Sequence, residues 1–259
     1  MKRIVVSIIF LIGILSQLQA QKKSKIYTAL DEENAIFKNE WSIGLRMHTN
    51  GIGAFYERVW IKNIYKKNVL QTNFFYFNNF KQKKVKSDYA QVYDAKGYFY
   101  GKQNNFWNLN LLFGQRKILA EKADYSGVRV AMVYMGGLSL GILKPYGLLV
   151  TQPDLSSPQP ELIYYNIENE AIFLNQDPSY DVYGAAGLAR GFNKIKPIPG
   201  IHAKFGFNFD WASHEYLVKS IEVGAQLDVY YKKLPVMITD RNKPYILNFY
   251  ISFQLGKRW

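Results

Sequence analysis

The chain reads as an all-β protein, an antiparallel transmembrane β-barrel, on three observations. The first is residues 247–259, where Leu247, Phe249, Ile251, Phe253, Leu255 and Trp259 are apolar and Asn248, Ser252, Gln254 and Arg258 between them are polar. Successive side chains of a strand point to opposite faces, so this segment separates lipid from water along its length. The second is an export signal at the opposite end. The third is a composition rich in aromatics, with 20 Tyr, 17 Phe and 5 Trp, and yet a mean hydropathy slightly below zero. A helical membrane protein would be more hydrophobic, whereas a barrel turns half of each strand away from lipid.

Residues 1–20 carry the export signal: Lys2 and Arg3 precede the apolar run Ile4 to Leu15, and Leu18-Gln19-Ala20 suits a signal peptidase. The apolar run is short for a membrane-spanning helix. Three regions are expected: the signal at 1–20, a periplasmic N-terminal segment at 21–38, and an outer-membrane β-barrel at 39–259. The absence of cysteine excludes disulfides, thiol catalysis, thiolate metal sites and a lipid-bearing cysteine. Without Lys2 and Arg3 the balance is 31 basic against 20 acidic residues, a net of +11. Export argues against a nucleic-acid partner, and the positive charge suits the anionic phosphates of lipopolysaccharide.

Alternation predicts eight strands, with ten as the alternative count. Strand 1 turns Trp41, Ile43, Leu45 and Met47 outward and Ser42, Gly44, Arg46 and His48 inward, and Asn50-Gly51 offers a hairpin turn. Strand 2, from about Ile52 to Trp60, and strand 3, from about Val69 to Phe80, alternate poorly, so their facing is open. Strand 4 sets Trp107, Leu109, Leu111 and Phe113 against Asn108, Asn110 and Gly114. Strand 5 sets Val128, Val130, Met132, Tyr134, Leu138 and Leu140 against Arg129, Ser139 and Gly141. In strand 6, Ile201, Ala203, Phe205, Phe207, Phe209 and Trp211 oppose His202, Lys204, Gly206, Asn208 and Asp210. Strand 7 opposes Ile221, Val223, Ala225, Leu227 and Val229 to Glu222, Gly224, Gln226 and Asp228, and residues 247–259 close the count. Eleven tilted residues rise roughly 27 Å, near the apolar band of about 25 Å that such barrels present.

The connections agree with that count. Short turns are expected near 61–68, 119–127 and 212–220, and long external ones near 81–105, 144–199 and 232–244. Within 144–199, segments Glu161 to Ile167 and Ala171 to Gln176 are expected to pair as a hairpin around Glu168-Asn169. Trp41, Trp60, Trp211 and Trp259 fall at periplasmic strand ends and Trp107 at an external end, where interfacial aromatic girdles sit.

The residues Asn39-Glu40, His48-Thr49-Asn50-Gly51, Gly101-Lys102, Asn104-Asn105-Phe106, Gly114-Gln115, Gly136 to Gly141, Lys144-Pro145, Pro199-Gly200 with Lys204, Glu222-Val223-Gly224 and Gly256 to Trp259 form a further set. As a set they resemble a family of outer-membrane β-barrel proteins found in the Bacteroidota. That resemblance spans most of the chain after the signal and implies a barrel in the outer membrane, with no activity or catalytic residues attached. The architecture is similar to that of OmpA/OmpX-type small barrels, a likeness of fold that does not transfer function.

The expected lumen set is Arg46, His48, Arg129, His202, Lys204, Asp210, Glu222 and Asp228. It holds both signs, and the interior of an eight-stranded barrel is just wide enough to be filled by side chains, so a salt-bridged plug is the expectation and a narrow solute path the alternative. Ser139, His202 and Asp228 fall at similar predicted heights with His48, which raises a lipid hydrolase. The chain has no nucleophile elbow to support it. The three His lack metal-ligand spacing, so neither metal nor cofactor is expected. Gly51-Ile52-Gly53 and Gly136-Gly137 read as turn and bend glycines, not phosphate loops. Lys81, Lys83, Lys84 and Lys86 with Tyr89, Tyr93, Tyr98 and Tyr100 suit lipopolysaccharide phosphates or a surface partner. The functional expectation is therefore a non-enzymatic barrel whose external loops bind or organise an envelope component, for instance a secretion complex of the type IX kind. The narrow channel and the lipid hydrolase are the alternatives. Insertion itself would engage the barrel-assembly machinery.

Overall fold

In the computed structural model, residues 37–78, 82–86, 96–122, 127–152, 160–187, 189–238 and 242–259 are described. The signal expected at 1–20, nearly all of segment 21–38, and Phe80, Lys81, Tyr89 and Tyr93 lie outside these. Among the described residues thirteen strands follow in order. The first group is β1 (Asn39–His48), β2 (Gly51–Ile61), β3 (Lys66–Phe77), β4 (Lys84–Val85), β5 (Tyr98–Phe99), β6 (Asn104–Ala120) and β7 (Arg129–Pro145). After these come β8 (Gly147–Thr151), β9 (Glu161–Tyr164), the single-turn helix α1 (Glu170–Phe173), β10 (Asp181–Ala185), β11 (Lys196–Asp210), β12 (Leu217–Tyr230) and β13 (Tyr245–Arg258).

Eight of the strands close a barrel in the order β1-β13-β12-β11-β7-β6-β3-β2, each antiparallel to its neighbours. The ladder from Glu40↔Arg258 to His48↔Tyr250 joins the first strand to the last, which leaves the sheet no edge. The eight-strand count holds, and the ten-strand alternative does not. Connections 62–65, 121–128 and 211–216 lie at one end, here the turn end; 49–50, 78–103, 146–195 and 231–244 lie at the other, the loop end. Asn63 shapes one short turn by accepting hydrogen bonds from the amides of Tyr65 and Lys66. At the loop end Gly51 has φ +141°, and a Cβ there would strike the Tyr76 carbonyl, so this hairpin needs glycine.

Outward-facing side chains are apolar and open to their surroundings, as with Leu45, Phe249, Leu138 and Ile201, each more than 60% exposed. A continuous apolar face of this extent is what lipid covers. In β2 and β3, Phe55, Val59, Val69, Phe75 and Phe77 point inward and are buried, while Arg58, Asn68 and Thr72 point outward, so apolar groups help to fill a narrow interior and the two faces look alike in sequence.

The long connections fold into a cap. Strand β8 lies between β10 and β9 in a three-stranded sheet, and β4 pairs with β5. Their core is Tyr98, Tyr146, Leu148, Val150, Ile172, Phe173 and Val182. The hairpin expected between Glu161–Ile167 and Ala171–Gln176 does not form. Glu161–Tyr164 pairs with Gly147–Thr151 instead, and 170–173 is a helical turn. Asn166 caps the preceding 3₁₀ turn, with Asn169 reaching back to its amide, and these two side chains turn the chain out of extended form.

Residues 234–237, after β12, seal the barrel mouth. Leu234, Val236 and Met237 pack with Phe75, Phe77, Phe106, Leu143, Ile198, Tyr230 and Ile246. The Asn242 side chain holds the segment by accepting from the Val236 amide and donating to the Met237 carbonyl. Beside it Lys102 is 1% exposed, its ammonium 4.6 Å from the Phe99 ring centroid, 5.5 Å from that of Tyr146, and 3.1 Å from Gln82 Oε1.

Burial lowers the Lys102 pKa from 10.5 to about 8. The unfolded chain therefore binds the extra proton between those values, and the cap's stability rises as pH climbs from about 8 to 10.5. Below that window the full penalty applies, at most about 3 kcal/mol. Amide exchange at Gln103, corrected for intrinsic rates, should slow across this window, and Lys102→Met should remove the dependence and protect the cap at neutral pH. Equal pH profiles for the two proteins would contradict this account.

Candidate functional site

Two regions carry polar chemistry: the lumen and the cap. Period-two alternation brings Glu40, Glu57, Asp210, Glu222 and Asp228 into the lumen with Arg46, Lys67, Arg116, Lys204 and Arg258, five carboxylates and five cations, every one at most 5% exposed. Such charges persist in a dry interior only when paired and hydrogen-bonded.

The pairing is dense at the turn end. Glu40 accepts from Lys67 Nζ at 2.8 Å, Arg116 Nη1 at 3.0 Å and Arg258 Nε at 2.9 Å. Arg116 bridges to Glu57 at 2.7 Å, and Glu57 also accepts from Ser42 at 3.2 Å and Gln71 at 2.5 Å. Arg258 bonds Asp210 as well and donates to the carbonyls of Glu215 and Leu217, both at 2.8 Å, tying the last strand to a turn. Midway along the lumen, Glu222 Oε1 meets Lys204 at 2.8 Å, the Tyr250 hydroxyl at 2.8 Å and Arg46 at 3.6 Å. The Arg46 guanidinium lies between the rings of Phe55 and Tyr250, 4.5 and 4.6 Å from their centroids.

Nearer the mouth, Asp228 Oδ1 receives His202 Nδ1 at 2.7 Å, Asn108 Nδ2 at 2.9 Å and Ser139 Oγ at 3.0 Å. The structure thus brings Ser139, His202 and Asp228 together, but not as a nucleophile relay. Serine and histidine share one carboxylate oxygen, Ser139 also meets the Tyr230 hydroxyl at 3.0 Å, and His202 Nε2 is buried without a hydrogen bond. In a relay the hydroxyl would bond to the histidine nitrogen that faces away from the carboxylate.

Of the expected lumen set, Arg46, His202, Lys204, Asp210, Glu222 and Asp228 join these networks. Arg129 stands at the turn-end rim, 2.7 Å from Glu121 and 3.9 Å from Asp210. His48 packs its ring 4.2 Å from that of Phe75 and has no ion pair among the described residues. Arg258 stands on the polar face expected for the closing strand, and Glu40, Glu57, Lys67 and Arg116 are lumen residues outside the expected set. Glu40 shares the parity of its strand's inward residues, and following that parity past the apolar band would have found it, as it would Arg116 beyond Gly114.

Trp41, Trp60, Trp211 and Trp259 ring the turn end, where the Arg58 guanidinium lies 4.5 Å from the Trp259 ring centroid. Trp107 stands at the loop end, stacked on Phe192 at 6.2 Å, with the Lys144 ammonium 5.7 Å from Trp107 and 4.6 Å from Phe192. In the cap, Lys83, Lys84 and Lys86 are exposed, whereas Tyr98 is buried in the cap core. Among the described residues no group of three His, Asp or Glu could hold a metal ion.

These features define a small closed eight-stranded barrel with an apolar exterior, a charge-paired interior and a structured cap over one mouth. No protein-family model and no curated protein matches the sequence. Among solved structures the chain is similar to Ail, the attachment invasion locus protein of Yersinia pestis, at 8% identity and a TM-score of 0.42, covering 86% of this chain and 99% of that one. A structure of Ail with the heparin analogue sucrose octasulfate gives 10% and 0.41, covering 86% and 99%. Neisserial surface protein A gives 7% and 0.40, covering 85% and 96%. The architecture assigned here rests on the closed strand ladder.

Glu40→Gln should leave Lys67 without its carboxylate and take one of two acidic partners from Arg116 and Arg258, destabilising the barrel by about 3–5 kcal/mol. Adding Lys67→Met should recover part of that loss, because it removes one orphaned cation. Urea unfolding in lipid vesicles, followed by tryptophan fluorescence, measures both; a Glu40→Gln midpoint equal to wild type would contradict the pairing.

Proposed function

We propose that the protein is exported by its cleaved N-terminal signal, resides in the cell outer membrane with its loop end outward, and binds or organises another envelope component through the cap, without catalysis. The observation that carries this reading is the cap's own apolar core, in which Leu148, Val150 and Phe173 are each at most 1% exposed. Long connections ordered by their own core present a fixed surface, and binding residues are disproportionately carried on such loops. A lumen filled by paired charges and a mouth closed by Leu234, Val236 and Met237 favour a display role over a solute path. The buried, carboxylate-centred Ser139, His202 and Asp228 favour it over hydrolysis. The aromatic ring at the turn end and the continuous apolar exterior support the membrane setting, and lipopolysaccharide is the lipid that the exposed lysines of 83–86 suit. A secretion or assembly complex of the envelope is the kind of partner intended.

Photo-crosslinking from cap positions in intact cells should capture a distinct envelope partner, and replacing residues 147–187 by a short linker should abolish capture while the barrel still migrates differently when boiled and unboiled. Absence of any captured partner would remove this role. Discrete conductance of the intact protein in planar bilayers would instead favour the channel.

A further inference from the structure

A cleft of about 490 Å³ opens where the cap meets the barrel mouth, apart from the charge networks of the lumen. It is bounded by Gln103 and Asn104 at the start of β6, Pro145 at the end of β7, Tyr164 of β9, the 194–196 segment and Pro235 of the mouth-sealing connection. Segments far apart in sequence thus converge on one space of the size that a small ligand fills.

The cleft is built rather than left over. Gly191 adopts a left-handed φ of +89° and starts the 3₁₀ turn Phe192–Lys194. A Cβ at Gly191 would press on the Tyr164 ring at 3.2 Å. That turn seats the Lys194 ammonium 4.3 Å from the Tyr164 ring centroid, at the cleft wall. The opposite wall is fixed by Asn104, whose amide donates to the Pro235 carbonyl at 2.6 Å, leaving its own oxygen as an acceptor. Lys194 and Lys196 are both exposed, and among the described residues neither has a carboxylate partner and no acidic side chain lines the cleft.

The chemistry of the walls selects a ligand class. Tyr164, Pro145 and Pro235 offer flat apolar surfaces such as the C–H faces of sugar rings pack against, and the Gln103 and Asn104 amides match hydroxyl groups. Two ammoniums without counterions call for negative charge on the same ligand. A bare inorganic anion would leave the apolar surfaces unused, and an acyl chain would leave the lysines and amides unpaired. We propose that this cleft binds an acidic oligosaccharide, with Lys194 and Lys196 engaging its carboxylates or phosphates. The proposal rests on the cap being an external binding surface and names a ligand class for it.

Free polysaccharide and the core sugars of lipopolysaccharide both offer this chemistry. The test uses the full protein in nanodiscs, titrated by calorimetry with trigalacturonate, with maltotriose as a neutral control of equal length. Trigalacturonate should bind saturably, roughly tenfold or more tighter than maltotriose, and Lys194→Ala with Lys196→Ala should weaken it roughly tenfold. Displacement by lipopolysaccharide bearing core sugars, but not by its coreless form, assigns the bound source; failure of both to displace assigns free polysaccharide. No saturable binding, equal affinity for maltotriose, or a double variant within twofold of wild type would overturn the site. Crosslinking in cells separates the two claims: a captured partner without sugar binding defeats the cleft alone, and sugar binding without a captured partner defeats only the role of organising a partner.

Discussion

The constraint on which this structure turns is charge balance in a narrow, buried interior. An eight-stranded barrel encloses an interior about as wide as its own side chains. Five carboxylates and five cations occupy it here; all but Asp228 meet an opposite charge from another strand, and Asp228 is held by His202, Asn108 and Ser139. Glu40 on β1 draws on Lys67 of β3, Arg116 of β6 and Arg258 of β13, so one carboxylate links strands from around the circumference. Register is thereby fixed twice, by the backbone ladder and by the ions, since slipping any strand by one residue would turn its charges toward lipid.

The polar interior changes character along the axis, and that gradient explains why only one end carries a folded cap. The turn end is closed by guanidinium–carboxylate contacts and short connections. Toward the loop end the ions give way to the Asp228 cluster and then to Phe75, Phe77, Phe106 and Tyr230, an apolar floor on which Leu234, Val236 and Met237 can rest. Above that floor the 146–195 connection has room to build a sheet and a core of its own. The barrel serves as a rigid post, and the adaptable chemistry is carried by what stands on it.

Much of this was legible in the sequence because lipid and lumen impose opposite polarities on alternate residues. Strands β1, β11, β12 and β13 announced themselves that way, and their facing matches the observed burial. The pattern faded in β2 and β3, where Phe55, Val69 and Phe75 fill the interior while Arg58 and Asn68 face out. Glu40 and Arg116 escaped notice because their strands run past the apolar band, where alternation no longer contrasts oil with water. The cap was the least legible part. Segment 161–164 pairs with the distant 147–151, a contact no local period reveals, and the Asn166 and Asn169 capping pair was the one local signal against a hairpin.

A filled, ion-paired lumen shields its side chains from solutes, whereas a passage would expose them. The chain contains no cysteine, so a single one can be introduced as a reporter. Ser252→Cys places a near-isosteric thiol at an inward position that is 1% exposed, and Lys84→Cys places one on the exposed cap. Exposed to a small water-soluble methanethiosulfonate reagent in native membranes, the thiol at 84 should react fully while the thiol at 252 stays unmodified until the barrel is unfolded. Modification of both at comparable rates would contradict the filled lumen.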